Sequence, residues 1–190
     1  VRRSCRTVMD ETFRRLTTWL APVMCFTMEE VWLSRFPGDE NSVHLQDFPE
    51  TQAVWSDPEL AAKWEGVKTL RRVVTGALEV ERREKRIGSS LEAAPEVFVS
   101  DPGLLAAMSG IDLAEIAITS QATLIEGEGL SHAFRLEDVP GVAVVSKRAE
   151  GEKCERSWKI LPDVGSNPKY PTLSARDADA VAWLAENGAI

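Results

Sequence analysis

Glu79-Val80-Glu81-Arg82-Arg83-Glu84-Lys85-Arg86-Ile87-Gly88-Ser89-Ser90-Leu91-Glu92-Ala93-Ala94-Pro95-Glu96-Val97-Phe98-Val99 is where the chain changes its hydrophobic period. Upstream, Leu60, Trp64, Val67, Leu70, Val74 and Leu78 recur at helical spacing and predict one apolar face. Asp57 is placed to cap that helix and Pro58 suits its first turn, so it is expected to run to about Arg86, about 40 Å. Downstream of Gly88 the period is 2, and Glu96-Val97-Phe98-Val99 reads as a strand. Helices before this junction and short strands after it give an α+β class.

Working outward toward the start, Cys5, Val8, Met9, Thr12, Leu16, Trp19 and Leu20 predict a first helix with one apolar face, ended by Ala21-Pro22. Thr27-Met28-Glu29-Glu30 has the form of a capping box and predicts a short helix to about Arg35. Ser42-Val43-His44-Leu45 reads as an extended piece of the following loop. The opening Val1-Arg2-Arg3-Ser4-Cys5-Arg6 has neither an initiator Met nor an apolar signal core and reads as mid-helix, so an excised segment is expected. Toward the other end, Ile116-Ala117-Ile118-Thr119, Ala122-Thr123-Leu124-Ile125, Ala133-Phe134-Arg135-Leu136 and Val142-Ala143-Val144-Val145 read as strands, with a helix over Leu104–Ser109. From Gly151 the chain is rich in Pro, Gly, Asn and charge, and a last short helix is expected over about 176–185. This organisation divides into 1–86, 87–150 and 151–190.

The net charge of −8 hides an asymmetry: residues 1–86 balance 14 Lys/Arg against 14 Asp/Glu, whereas 87–190 hold 8 against 16. On the long helix Lys68, Arg72, Arg82, Arg83 and Arg86 gather on one flank, shared with Glu65 and Glu79. One reading is a solvated face laced by i,i+4 pairs such as Glu79–Arg83 and Glu81–Lys85. The other is a phosphate-binding face, since Lys68–Arg72 and Arg82–Arg86 are like-charge i,i+4 pairs that an anion would relieve.

Chemistry is scarce. There is no nucleotide-binding glycine loop, no Gly-x-Ser-x-Gly and no His-Glu-x-x-His, and His44 and His132 lie in unrelated segments. No catalytic residue is assigned. No run approaches about 18 apolar residues, which excludes a spanning helix. Three cysteines, an odd number, point to a reducing cytoplasm. Cys154-Glu155-Arg156-Ser157 and Ser174-Ala175-Arg176-Asp177 have the spacing of a C-x2-C…C-x2-C zinc ribbon in which only Cys154 survives as thiolate ligand. A metal-free tail is expected, held by packing of Trp158, Tyr170 and Trp183, with Asp177 at the last helix's N-terminus.

These residues carry a family resemblance. Leu20-Ala21-Pro22 through Phe26-Thr27-Met28-Glu29-Glu30-Val31-Trp32, and Ser42-Val43-His44-Leu45, resemble segments of the helical anticodon-binding domain of class I synthetases for aliphatic amino acids. Ala77-Leu78-Glu79 and Glu84-Lys85-Arg86-Ile87-Gly88-Ser89-Ser90-Leu91-Glu92-Ala93 are similar to a signature of isoleucyl-tRNA synthetases. Gly151-Glu152-Lys153-Cys154-Glu155-Arg156-Ser157-Trp158 and Leu173–Val181 resemble that family's C-terminal zinc module. Ser157, Ser174 and Asp177 stand where many bacterial members have Cys.

The resemblance implies an N-terminally truncated anticodon-binding bundle, a small α/β junction domain and a degenerate zinc-ribbon tail. It implies binding of the tRNA-Ile anticodon stem-loop and docking to the catalytic core of the same polypeptide, without a membrane. ATP and Mg would belong to the parent enzyme; its ATP-binding motifs and editing domain are not in this stretch. Basic side chains would position the RNA backbone, and Trp158, flanked by Lys153, Arg156 and Lys159, would stack on a base. The alternatives are that Trp158 merely packs the tail, that the segment braces the core with few RNA contacts, or that it is the equivalent region of a valyl or leucyl enzyme.

Overall fold

The computed structural model describes residues 2–188; Val1, where the first helical reading begins, and residues 189 and 190 of the last module lie outside the described residues. Two compact units are present, Val1–Asp57 and Pro58–Ile190.

In the first unit, α1 (Arg2–Leu20) and α2 (Cys25–Arg35) enclose a small core of Ala21, Met28, Trp32 and Val43, with Phe13, Val31 and Phe36 against it. Phe13 stacks on Trp32 with ring centroids 6.2 Å apart, and Arg14 lies 4.7 Å over Phe36. The expected capping box does not form. α2 starts at Cys25 with Met24 at the N-cap and no side-chain cap, because Met28 N–H already reaches Met24 O at 2.9 Å. Thr27 is therefore inside the helix. Glu29 instead accepts from Val43 N at 2.8 Å and Ser42 Oγ at 3.0 Å, and Val43–Leu45 winds into a 3-10 turn rather than an extended piece. The predicted apolar face of α1 is largely uncovered: Val8, Met9, Leu16 and Trp19 are exposed, while Thr17 and Thr18 are buried.

The second unit is built on α3 (Pro58–Arg83), which buries Val67, Leu70, Val73, Val74, Ala77 and Leu78. These meet Val97 and Val99 of β1 (Glu96–Val99) and Val142 and Val144 of β3 (Val142–Val145) in one core. β1 is central: β2 (Thr123–Glu126) pairs parallel to it with Val97 opposite Leu124, and β3 antiparallel with Val97 opposite Val144. Parallel pairing needs a crossover, supplied by α4 (Pro102–Ala107) and α5 (Leu113–Ala117). Gly66 lets α4 approach closely, since a Cβ there would lie 2.8 Å from that of Ala107. The sequence-based boundary at 86/87 and the boundary between compact units at 57/58 thus fall at opposite ends of α3.

Two expected strands are otherwise. Ile116–Thr119 is the end of α5, begun by Asp112, whose Oδ1 accepts from Ala114 N at 2.8 Å, and ended by Ile118 at φ 56°. A four-residue apolar run does not distinguish strand from buried helix, and here the cap decides it. Ala133–Leu136 contributes a single bridge, Phe134 to Val144.

The tail comprises β4 (Glu152–Lys153) paired antiparallel with β5 (Ile160–Leu161), then α6 (Ala175–Glu186). Ser120 Oγ ties it to the rest of this unit by accepting from Ile160 N at 2.7 Å and donating to Leu91 O. Aromatic packing is not what fills it. Trp158 and Trp183 are 62% and 55% exposed, and the buried centre is Cys154, Ser174, Asp177 and Ala178. So short a segment closes over small and polar groups, leaving both indoles outside and Tyr170 half-buried.

Candidate nucleic-acid interface

Four of the five predicted cations of the flank, Lys68, Arg72, Arg82 and Arg83, lie on α3; Arg86 does not. The helix ends at Arg83, Lys85 takes φ 58°, and Arg86 N–H closes the end by donating to Glu81 O at 2.9 Å. The i,i+4 pairs expected with Arg83 and Lys85 give way to others. Lys68 bonds Glu65 at 2.7 Å, Arg72 bonds Asp138 at 2.7 Å, Arg82 bonds Glu79, and Arg86 bonds both Glu81 and Glu84. Arg83 has no ion pair among the described residues. The Arg86 guanidinium holds the Glu81 carboxyl below the usual carboxylate range, against the opposing effect of burial. Ion pairs this exposed contribute little to stability.

Sequence reading missed the surroundings of this end of α3. Lys147 and Arg148 join Lys85, Arg86 and Glu81 around a hollow of about 490 Å³, though Lys147 also bonds Glu96 and Arg148 bonds Glu92. Nothing local marks these two, because only the β1–β3 pairing brings them there. In the first unit Arg2, Arg3, Arg6 and Arg35 line another hollow, of about 990 Å³, with Asp10 and Phe13. The overall charge balance of residues 1–86 concealed it.

In the tail, Cys154, Ser174 and Asp177 come together. Cys154 Sγ–H donates to Asp177 Oδ2 at 3.1 Å, Ser174 Oγ–H donates to the same oxygen at 3.1 Å, and Ser174 N–H donates to Sγ at 3.4 Å. Ser174 is the N-cap of α6, its Oγ accepting from Asp177 N at 3.3 Å. Burial acts to raise the Asp177 carboxyl, but hydrogen bonds from Ser157, Cys154 and Ser174 and the charge of Arg176 bring it below its usual range. Burial likewise raises the Cys154 thiol, and hydrogen bonding from Ser157 and the Ser174 backbone outweighs it. Ser157 Oγ is buried without a partner of standard geometry, although it faces both acids closely enough to favour their anions.

Around this centre, Arg156 Nε lies 3.8 Å from Asp177 Oδ1, and Lys153 Nζ lies 5.5 Å from the Trp158 ring. Trp158 itself adopts φ 61°, a left-handed conformation rare for a side chain of its size. The indole is thus exposed beside a cation, its face chemically suited to stacking against a planar π-system.

Residues 2–97 match the family model described as the anticodon-binding domain of tRNA ligase. The chain is similar to the isoleucine–tRNA ligase of Agrobacterium fabrum, 58% identical over 184 residues, covering 97% of this chain and 19% of that protein. It is 54% identical over 188 residues to the one from Caulobacter vibrioides, covering 98% of this chain and 19% of that protein. For Bartonella henselae the identity is 50% over 189 residues, covering 100% and 19% respectively. The chain therefore spans about a fifth of the length of the curated relatives it matches.

Proposed function

This chain belongs to the family of anticodon-binding domains of tRNA ligases, and from that premise we propose that it is the part of an isoleucine–tRNA ligase that grips the anticodon stem-loop of tRNA-Ile. The observation that carries the reading is its 58% identity to a protein of that name across both the family-matched region and the tail beyond it. In this reading a bundle over 1–86, a junction domain over 87–150 and a ribbon-like tail over 151–190 act together. The parent is a cytoplasmic enzyme whose other domains attach isoleucine using ATP and Mg; no side chain of this segment takes part in that chemistry.

Lys68, Arg72, Arg82, Arg83 and Arg86 meet backbone phosphates, trading exposed carboxylate partners for them. Such contacts position the RNA without reading its sequence. Reading falls to Trp158, with Lys153 and Arg156 beside it, by stacking on an unpaired anticodon base. Labelled tRNA-Ile and a non-cognate tRNA, titrated at two salt concentrations, test this. The cognate tRNA should bind more tightly at both, and its advantage should persist as the shared phosphate contribution weakens. Equal affinities at both would overturn it.

A second role is favoured by the apolar surface of the first unit. Phe26 is 92% exposed, Val23 82% and Met9 65%. Scattered apolar side chains are ordinary, but this many on two helices and the turn between them suit a surface covered by the catalytic core of the same polypeptide. In the parent enzyme, Phe26→Asp should lower the melting temperature while leaving tRNA affinity of the isolated segment unchanged.

A further inference from the structure

Cys154, Ser157, Ser174 and Asp177 occupy zinc-ribbon positions, and their chemistry does not fit zinc. A sulfur and an oxygen bound to one tetrahedral zinc stand about 3.5 Å apart, around the metal and not in contact with each other. Here Cys154 Sγ and Asp177 Oδ2 are 3.1 Å apart and joined by the thiol proton. Ser174 Oγ gives its own proton to the same oxygen and accepts Asp177 N–H. Cys154, Ser174 and Asp177 satisfy one another, Ser157 lies beside them, and two of the four are neutral hydroxyls, poor ligands beside thiolate or imidazole.

We infer that these positions form a metal-free hydrogen-bonded hub that takes over the holding role of a zinc ion, and that its task is to fix the Cys154–Trp158 turn that presents the indole. The connections run directly from hub to ring. Trp158 N–H donates to Cys154 O at 2.8 Å, and Cys154 N–H donates to Lys159 O at 2.9 Å, so the buried cysteine anchors both ends of the turn. Arg156, inside the turn, reaches the second oxygen of Asp177. Gly151 lets the two short strands cross closely below it, since a Cβ there would lie 2.3 Å from the Leu161 backbone. Trp158 at φ 61° gains nothing from burial, being mostly exposed, so its strained backbone persists only because this framework over-determines it. Cys154, Ser174 and Asp177 are then positioning residues for Trp158. That the indole stacks on a base rests on the reading above; that the hub holds it does not.

The test uses the whole chain labelled with 5-fluorotryptophan, the Trp158 resonance being assigned by its loss in Trp158→Phe. The protein should carry well under one zinc after dialysis, and a chelator should move neither its melting temperature nor that resonance. Asp177→Ala should shift or broaden the Trp158 resonance and weaken tRNA-Ile binding about as far as Trp158→Ala, roughly tenfold. The double variant should weaken it no further. Because the four positions converge, S157C/S174C/D177C should bind about one zinc per chain and recover both resonance and affinity, losing them again to the chelator. Stoichiometric zinc in the unaltered protein, an unmoved Trp158 resonance in Asp177→Ala, or a zinc-loaded triple variant whose Trp158 resonance stays displaced would each overturn the hub. If Asp177→Ala moves the resonance while Trp158→Ala leaves tRNA affinity intact, the hub stands and base stacking by the tail fails.

Discussion

At the scale of single residues, Trp158 carries a conflict that experiment can separate. Its left-handed backbone costs on the order of 1–2 kcal/mol for a residue with a Cβ, and glycine escapes that cost. Trp158→Gly should therefore leave the melting temperature unchanged or raise it slightly while weakening tRNA binding; a loss of stability with binding intact would mean that the ring only packs. Glu81 makes a different prediction. Its carboxyl is depressed by Arg86, so the pair stabilises the fold above the ordinary carboxylate pKa and ceases to as pH falls through the lowered folded value. Glu81→Gln should be less stable than the parent near neutral pH, the difference closing in acid; a gap independent of pH would refute the assignment. Neither feature could be read from residue types. A positive φ at Trp158 follows from the closure of a turn by Cys154, and the Arg86–Glu81 pairing follows from a helix that stops three residues early.

Among the elements, α3 is the one on which both the core and the candidate phosphate contacts depend. Leu70→Ala removes a fully buried side chain and should destabilise the chain by about 2–5 kcal/mol in denaturant melts. The exposed side of the same helix should behave oppositely. Lys68, Arg72, Arg82 and Arg86 changed together to Ala should leave the fold intact. The slope of log K against log salt for tRNA should become shallower by about 0.7–0.9 per phosphate contact removed. An unchanged slope would favour bracing over RNA contact. α3 was legible because 26 residues hold a steady apolar period, and β1, β2 and β3 were legible from alternation. Ile116–Thr119 was not, since its fate turned on the Asp112 cap, and α1 misled because its periodic apolar face is not covered by the described residues.

Over the whole molecule, the absence of both ATP motifs and of any nucleophile–base pair from the sequence leads to a plain expectation. The purified segment should show no ATP–pyrophosphate exchange and no aminoacylation, and exchange activity in a clean sample would refute it. The candidate surface was half legible at this scale. Spacing pointed to the basic flank and to the four tail positions, but Lys147 and Arg148 reach the end of α3, and Arg35 joins Arg2, Arg3 and Arg6 of α1, only when separate segments meet. The order in which those segments are made has its own consequence. α3 is complete by Arg83, whereas the strand that covers its apolar side from one edge, Val142–Val145, comes roughly sixty residues later. At about 5–20 residues per second on a ribosome, the finished helix waits roughly 3–12 s for that strand, with its apolar side incompletely covered. During synthesis, then, part of the surface that the mature protein buries is open for some seconds, and a holdase chaperone would find its target there.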